Sequence, residues 1–378
     1  MPDYRLLEVG DPAPRFRQAC TSNPNYHFDT VAGRYIVLCF FGTGRDERGR
    51  NMLKIIDEHR TLFDDDHIAF FGISIDPNDE KEQMGSESMP GIRHFWDFDG
   101  SVSRLYGAIP MDVQQGEVVL NRLWIVLNPT LQIRAIFPAL ADGSDRHRVA
   151  DYLKLLPPVN SFCGFPVQAP VLVVPNVFEA GFCRHLISLY EAHGGEDSGF
   201  MQDVGGKTTT VFDYRHKRRS DFDLEDEGLM ARIQRKVIRR ANPEIKKAYQ
   251  FHATRMERYL VACYHAENGD HFRPHRDDTT KGTAHRKFAL SILLNKDFDG
   301  GELSFPEYGS QTFKAPVGGA VVFSCSLLHT VSPVTRGCRY VFLPFLYDEA
   351  AAALREANTP FLDEKGGLYR KDGGKEVS

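Results

Sequence analysis

The stretch Gly269-Asp-His-Phe-Arg-Pro-His-Arg-Asp277 places two residues that can bind a metal, His275 and Asp277, two positions apart. In an extended segment, side chains at positions i and i+2 point to the same face, so this pair can meet one ion while Arg276 points away. His329 follows 52 residues after Asp277, which leaves room for several short strands to return beside the first. Two imidazoles and one carboxylate leave coordination positions open, as in non-haem Fe(II) oxygenases and unlike closed structural zinc sites. We therefore predict that these three residues bind a catalytic metal ion.

The spacing alone is not specific, because His27-Phe-Asp29 with His94 and Arg104 repeats it in the N-terminal part of the chain. The surroundings differ between the two copies. The C-terminal copy lies among short β-rich runs separated by Gly, Pro and Asp, which is typical of an all-β sandwich or barrel. The N-terminal copy has a turn and no strand pattern between His94 and Arg104. We therefore expect a metal only at the C-terminal copy.

Arg339 follows ten residues after His329, across the turn Thr335-Arg-Gly-Cys338. Its planar guanidinium can bind a carboxylate through two parallel hydrogen bonds. We therefore predict that Arg339 binds the far carboxylate of a co-substrate that chelates the metal.

Residues 169–349 resemble the Fe(II)/2-oxoglutarate-dependent dioxygenases of the prolyl 4-hydroxylase type. That resemblance implies a double-stranded β-helix, a jelly-roll or cupin-like fold, with flanking helices. It is carried by Tyr264, Gly269-Asp-His-Phe-Arg-Pro-His-Arg-Asp277, Leu293-Leu-Asn295, Gly300-Gly-Glu-Leu303, Gly318-Gly-Ala-Val-Val-Phe323, His329 and Pro333-Val-Thr-Arg-Gly-Cys-Arg339.

The resemblance implies specific roles for these residues. Fe(II) is bound by His275, Asp277 and His329, and 2-oxoglutarate by Arg339 with Tyr264 in the same pocket. The co-substrates are then 2-oxoglutarate and O2, and ascorbate is a further cofactor that this family suggests. The chain has Leu293 where some relatives have Tyr, which leaves open the second partner of the co-substrate carboxylate.

The implied reaction is oxidative decarboxylation of 2-oxoglutarate to succinate, coupled to hydroxylation of a C–H bond. The substrate is a peptide or a small molecule. Two alternatives stay open: a metal-binding cupin that uses no 2-oxo acid and carries an interaction module, and a thiol-dependent peroxidase or redox protein. Arg219 is a candidate for the substrate pocket, since related enzymes have a strand at the pocket mouth where this chain reads Lys217-Arg-Arg-Ser-Asp221. Arg255 and Tyr259 are further candidates, because they alternate with Glu257 along a predicted strand that leads to Tyr264, although the exterior of the sheet fits them equally well.

The composition is that of a globular protein with 378 residues, 42% hydrophobic and 26% charged, and a net charge of −5. Such a length is enough for two domains. The charge gives no reason to expect nucleic acid or an anionic membrane as a partner. No apolar run is long enough to cross a bilayer, and the first residues lack a signal-peptide pattern, so we expect a cytoplasmic protein. The seven cysteines form no C-x-x-C pair, and we expect most of them to be small buried hydrophobes.

Residues 1–156 alternate strand and helix patterns, including the strand-like runs 35–41 and 68–74, and predict an α/β sandwich. This part resembles the peroxiredoxin branch of the thioredoxin fold through Val9-Gly-Asp-Pro-Ala-Pro14, Gly72-Ile-Ser-Ile-Asp76, Asp97-Phe-Asp-Gly100, Tyr106-Gly107 and Arg122. Gly49 stands about where that family has its peroxidatic Cys, so we predict a domain without peroxidase activity. A peroxidatic Cys acts as a thiolate, and we expect Cys39 to be structural instead. We expect Arg122 to serve packing or an ion pair, and a role in dimerisation or substrate presentation is a hypothesis.

The remaining segments are read from their composition. Residues 157–168 are rich in helix breakers and predict a linker, and 350–378 predict a terminal helix with a mobile tail. The polar segment 193–222 is predicted to be a surface loop or a lid over the metal. The basic residues of 213–247 fit the solvated face of a helix that packs through Leu229, Ile233 and Val237.

Overall fold

The computed structural model describes residues 3–85, 87–112 and 119–363. The chain divides into two compact units, which are described separately below. The first contains the chain up to Gln168 together with Pro306–Ser310, and the second contains Ala169–Phe305 and the chain from Gln311 onward. The segment 157–168, predicted as a linker, falls in the first unit, where Phe162 is buried in the core.

The N-terminal unit has a seven-stranded sheet and four α-helices, so the predicted α/β class is confirmed. The strands are β1 Arg17–Cys20, β2 Asn23–His27, β3 Tyr35–Gly42, β4 Ile68–Ser74, β5 Ile92–Trp96, β6 Leu123–Leu127 and β7 Ile133–Pro138. The helices are α1 Glu47–Glu58, α2 Pro77–Lys81, α3 Ser101–Leu105 and α4 Asp145–Lys154.

The strand order is β2-β1-β5-β4-β3-β6-β7, with β3, β4 and β5 parallel and β6 and β7 antiparallel. Every residue of β3 and β4 is buried, as expected for central strands covered on both faces. Helices α1 and α4 pack on one core with these strands, through Met52, Ile55, Val149 and Leu153. Asp46 caps α1 by accepting a hydrogen bond from the Gly49 amide at 2.8 Å.

The C-terminal unit is mainly antiparallel β-structure. Its strands are β8 Leu172–Val174, β9 Glu196–Asp197, β10 Phe200–Val204, β11 Lys207–Val211, β12 Lys217–Arg218, β13 Ser220–Asp223, β14 Arg255–Glu257, β15 Leu260–His265, β16 His271–His275, β17 Phe288–Leu293, β18 Phe298–Gly300, β19 Leu303–Ser304, β20 Thr312–Phe313, β21 Ala320–Ser324, β22 His329–Val331, β23 Val334–Phe342 and β24 Phe345–Tyr347. Its helices are α5 Ala180–His193, α6 Glu227–Arg240, α7 Asn242–Tyr249 and α8 Glu349–Asn358.

Two sheets organise this unit. The larger has ten strands, and its main path runs β14-β24-β17-β23-β15-β13-β9. The smaller has five strands in the order β12-β16-β22-β19-β20. Helices α5 and α6 cover the larger sheet with an apolar face, in which Leu229, Ile233 and Val237 are buried as predicted. The basic side chains of α6 lie on its other faces.

Two sequence-based expectations differ from the structure. The polar segment after His193 is not an irregular loop, because β10 and β11 form a hairpin joined at Gly205-Gly206. The run from Arg255 to Tyr264 is not one continuous strand, because Arg258 takes a left-handed conformation with φ 64° between β14 and β15. This break changes which face each following side chain occupies.

At the C-terminus, α8 corresponds to the predicted terminal helix, and the tail predicted to be mobile lies outside the described residues from 364 onward. Among the residues that the structure describes, none of the helices has the length and apolar composition needed to cross a membrane.

Candidate active site

The three predicted metal ligands meet where the second and third strands of the smaller sheet lie side by side. His275, the last residue of β16, is paired with His329, the first residue of β22. Asp277 lies in the turn after β16. The turn, and not the i, i+2 alternation of a strand, therefore brings its carboxylate close to His275. The His275 Nε2 lies 3.6 Å from Asp277 Oδ1, and the His329 Nε2 lies 3.4 Å from Asp277 Oδ2. As expected, Arg276 turns away and donates to the Ser326 carbonyl.

Both imidazoles are held by the same kind of hydrogen bond. The His275 Nδ1 donates to the Arg273 carbonyl at 2.8 Å, and the His329 Nδ1 donates to the Leu327 carbonyl at 3.0 Å. These bonds fix the tautomer and leave each Nε2 lone pair facing Asp277, which is how metal-binding histidines are commonly oriented. Burial, with His329 close by, holds the pKa of His275 well below its usual value, so the ring is neutral. The donor set therefore fits a divalent metal ion.

The N-terminal copy of the motif does not form such a cluster among the described residues. His94 lies in the core beside Phe41 and Phe70, with both ring nitrogens buried and without a hydrogen-bond partner in the described part of the chain. Burial lowers the pKa of His94 to about 4. His94 is therefore a packed core residue of the N-terminal unit.

Arg339 is buried beside Tyr264, to which it is paired across β15 and β23. Its guanidinium carbon lies 5.1 Å from the centre of the Tyr264 ring, and its Nη2 lies 3.4 Å from the Ser291 hydroxyl. Within the described residues, no carboxylate forms an ion pair with this guanidinium. Because an unpaired buried charge is costly, the site is suited to an anionic ligand.

In the turn after β18, the backbone at Gly301 passes close to the side chain of Arg339. Gly301 has φ 61°, and a Cβ built on it would lie 2.7 Å from the Arg339 Cδ. The Gly-Gly pair of the sequence motif is therefore required for space as well as for backbone conformation.

A second cationic group contacts Tyr264. The Arg219 Nη1 is 3.4 Å from the Tyr264 hydroxyl, but this guanidinium is already paired with Asp221 through two hydrogen bonds of 2.7 and 2.6 Å. Lys217 lies 5.1 Å above the Phe272 ring, and that ring stacks on His275. The Ser198 hydroxyl joins the two groups, because it accepts hydrogen bonds from Lys217 at 2.7 Å and from Arg219 at 3.2 Å. A continuous set of contacts thus runs from His275 through Lys217 and Arg219 to Tyr264 and Arg339.

Two predicted pocket residues lie elsewhere. Arg255 forms a bidentate ion pair with Glu349, with bonds of 2.9 and 3.0 Å. Tyr259 is buried in the core that packs against α5 and α6. The prediction was wrong for Tyr259 because this residue stands five positions before Tyr264, and such an odd spacing places two residues of a strand on opposite faces. The Arg255 guanidinium is instead engaged by Glu349. Arg219 is the one member of the predicted trio that contacts Tyr264.

Ser291 and Lys217 were not among the predicted site residues. Ser291 could have been found, because it stands two positions before Leu293 on β17 and therefore faces the same side. Lys217 lies in the predicted pocket-mouth segment, but its contact with Phe272 depends on the pairing of β12 with β16, which no local pattern reveals.

The N-terminal unit shows what replaces a thiol at the start of α1. Arg122 donates to the Phe41 carbonyl at 2.7 Å and is paired with Asp46, which confirms the predicted ion pair. A Cβ built on Gly49 would lie 1.8 Å from the Thr43 carbonyl oxygen, so the backbone has closed over this position. Cys39 is fully buried, which raises the pKa of its thiol well above the usual value, in line with a structural role.

Comparison with known families gives the same division of the chain. Residues 259–347 match the family model of the 2OG-Fe(II) oxygenase superfamily. Residues 9–136 match the model of the AhpC/TSA family. The resemblances predicted for the C-terminal and N-terminal parts are thereby confirmed.

Two of the curated relatives are PKHD-type hydroxylases. A PKHD-type hydroxylase of Synechococcus sp. (strain JA-2-3B'a(2-13)) is 38% identical over 88 residues, which cover 21% of this chain and 38% of the relative. A PKHD-type hydroxylase of Maricaulis maris (strain MCS10) is 34% identical over 107 residues, which cover 25% of this chain and 48% of the relative. The chain therefore spans less than half the length of either relative.

Among solved structures, a prolyl hydroxylase of Trichoplax adhaerens in complex with a hypoxia inducible factor peptide fragment is 18% identical. The match covers 50% of this chain and 87% of that one, with a TM-score of 0.39. Peroxidoxin BcpB of Mycobacterium tuberculosis is 13% identical over 40% of this chain and 99% of that one, with a TM-score of 0.35.

Proposed function

We propose that the C-terminal unit is an Fe(II)- and 2-oxoglutarate-dependent hydroxylase. The observation that carries this proposal is the buried Arg339, which has no carboxylate partner in the described residues and is linked to His275 through the contacts described above. His275 in turn clusters with Asp277 and His329. A metal-binding cupin without a 2-oxo acid would leave this buried charge without a use. The match of residues 259–347 to the oxygenase family supports the same assignment. We further propose that the two sheets form the double-stranded β-helix of that family.

Each group then has a defined task. His275, Asp277 and His329 hold the iron, which when bound supplies the O2 chemistry that couples decarboxylation of 2-oxoglutarate to C–H hydroxylation. Arg339 binds the 5-carboxylate through its guanidinium fork. The Ser291 hydroxyl is the second partner of that carboxylate, in place of the Tyr that some relatives have two residues further along. Tyr264 separates Arg339 from Arg219 and keeps water from the guanidinium.

The substrate pocket is proposed to lie beside Arg219 and Lys217, with a peptide or a small molecule as substrate. The charge of Arg219 is neutralised by Asp221, so Arg219 does not bind an anionic substrate group directly. Its role is to position the Tyr264 side chain. Ascorbate as a reductant for the iron and a cytoplasmic location are parts of the same proposal.

The test measures iron binding and succinate formation in the same samples. His275→Ala is expected to abolish both, because two of the three ligands cannot hold the ion in an open site. His271→Ala, on the same strand but bonded to the Gly269 and Arg215 carbonyls, is the matched control and is expected to retain both. Iron-dependent succinate formation that survives His275→Ala would refute the proposal.

The N-terminal unit is proposed to be an accessory module that presents substrate or forms a homodimer. The proposal rests on a scaffold of the AhpC/TSA type that lacks the thiol at Gly49. Two results together would contradict this proposal. The chain would be monomeric at working concentrations, and charge-reversing substitutions across the surface of this unit would leave substrate turnover unchanged.

A further inference from the structure

The strands that carry Tyr264 and Arg339 present a second set of functional side chains on their opposite face. Neighbouring residues of a strand point to opposite faces, so Cys263 and His265 lie behind Tyr264, and Cys338 lies behind Arg339. The register pairs His265 with Cys338 and Tyr264 with Arg339 across β15 and β23. One side of this strand pair therefore faces the candidate active site, and the other carries two thiols and an imidazole.

These three side chains converge on one point. The Cys338 Sγ lies 3.3 Å from the His265 Nδ1, and the three potential ligand atoms all lie within 4.8 Å of one another. In a tetrahedral zinc site, bonds of about 2.3 Å to sulfur and 2.0–2.1 Å to nitrogen separate S from N by about 3.5 Å and S from S by about 3.8 Å. The cluster therefore needs changes of about 1 Å or less in these distances, and no change of fold, to surround one ion.

The backbone around the cluster is fixed from both sides. The Asn295 side chain donates to the Cys338 carbonyl at 2.8 Å and accepts from the Tyr340 amide at 2.9 Å. The Asp270 carboxylate, itself 1% exposed, accepts from the His265 amide at 2.9 Å. Ligands on two paired strands, each with its backbone pinned in this way, are preorganised for an ion.

We propose that Cys263, His265 and Cys338 form a Zn²⁺ site with water as the fourth ligand. Two thiolates and one imidazole favour zinc over the magnesium or calcium that carboxylates prefer. Binding deprotonates both thiols, so two protons pass to the solvent for each ion bound. Cys263 is buried while His265 and Cys338 are half-buried, and the ion enters from their side. The ion crosslinks β15 to β23 directly behind Tyr264 and Arg339.

The experiment uses the reduced full-length chain with His275→Ala and Asp277→Ala, so that the candidate iron site does not contribute. Titration with cobalt(II) alone is expected to produce a thiolate-to-cobalt charge-transfer band that saturates at one equivalent, and one equivalent of Zn²⁺ is expected to remove it. Cys338→Ser in this background is expected to abolish the band. His265→Ala is expected to weaken cobalt binding at least tenfold.

Two controls separate this site from other metal-binding groups. Cys163→Ser removes the exposed cysteine, and His147→Ala disrupts the exposed cluster with Glu58 and His59. Both are expected to leave the band unchanged. The proposal is overturned if no band forms in the background variant, if the band persists in Cys338→Ser, or if mass spectrometry of the reduced preparation finds Cys263 and Cys338 joined as a disulfide. None of these results depends on hydroxylase activity, so the two proposals fail separately.

Discussion

Replacement of Arg339 by glutamine is expected to weaken 2-oxoglutarate binding without removing iron. The guanidinium is 5% exposed, contacts the Tyr264 ring and the Ser291 hydroxyl, and has no carboxylate partner among the described residues. In the liganded state it is expected to form two charge-assisted hydrogen bonds with the 5-carboxylate. Glutamine retains one donor and polar volume but loses the charge and the fork.

The size of the effect follows from these two bonds. Hydrogen bonds to charged groups contribute about 1.5–3 kcal/mol each. Loss of both, partly offset by the remaining amide, corresponds to about 3–4 kcal/mol. Since about 1.4 kcal/mol is a factor of ten, the dissociation constant is expected to rise between about one hundred and one thousand times. Arg339→Lys keeps the charge but not the fork, and about a tenfold loss is expected.

Calorimetric titration of the anaerobic, iron-loaded chain with 2-oxoglutarate measures this directly. The matched control is Arg336→Gln, three residues earlier on β23, where the arginine is exposed and paired with Asp299. That pair is exposed to solvent and contributes little, and no change in co-substrate affinity is expected. An Arg339→Gln variant that retains iron and binds 2-oxoglutarate within threefold of the original chain would refute the assignment of Arg339.

Three further predictions concern stability and the N-terminal unit. Glu257→Gln is expected to lower the free energy of unfolding in urea by about 3 kcal/mol, because it leaves a buried cluster of cationic partners without its carboxylate. The exposed Glu349→Gln is expected to leave the free energy of unfolding almost unchanged. His94 has a folded pKa of about 4, below the unfolded value of about 6.5, so its contribution is fully present above pH 6.5 and falls as pH drops toward 4. The loss of stability is about 2 kcal/mol at pH 5. Denaturant titrations followed by tryptophan fluorescence measure it, because both tryptophans lie in the N-terminal unit. The His94→Leu variant is expected not to show this loss at pH 5. Gly49→Cys is expected to destabilise this unit by about 1–3 kcal/mol without restoring peroxide consumption, since the new Cβ meets a backbone oxygen, while the exposed Arg48→Cys is expected to be neutral. Rapid peroxide reduction by Gly49→Cys would contradict that account.

Local sequence patterns account for much of the fold. The continuous apolar runs of β3 and β4 and the Gly-containing turns of the C-terminal unit were sufficient to predict a buried α/β sheet and an antiparallel β-rich unit. The metal ligands were also predictable as a set, because His275 and Asp277 are close in sequence and their donor types specify the chemistry. Their convergence with His329 depends on the pairing of β16 with β22. The sequence leaves enough residues for that pairing but does not specify it.

The errors have local physical causes. Tyr259 stands an odd number of residues before Tyr264, so alternation places the two on opposite faces of a strand. The positive φ at Arg258, which separates β14 from β15, is uncommon for a residue with a Cβ, and nothing in its neighbours indicates it. The hairpin of β10 and β11 is polar on both faces, so the apolar alternation that identifies strands is missing. The cluster of Cys263, His265 and Cys338 depends on the register between strands that are distant in sequence, and spacing cannot supply that register.

The pairing of His275 with His329 also has a consequence for the order of folding. The two residues belong to neighbouring strands, yet the five strands β17 to β21 lie between them in the sequence, so their pairing is long-range. Closing such a loop costs entropy before any metal bond can repay it. A chain leaving the ribosome therefore has no three-ligand site until β22 has been synthesised and has paired with β16. Iron that binds the completed site stabilises the native sheet by mass action, and chelation is expected to accelerate unfolding of the C-terminal unit more than that of the N-terminal unit.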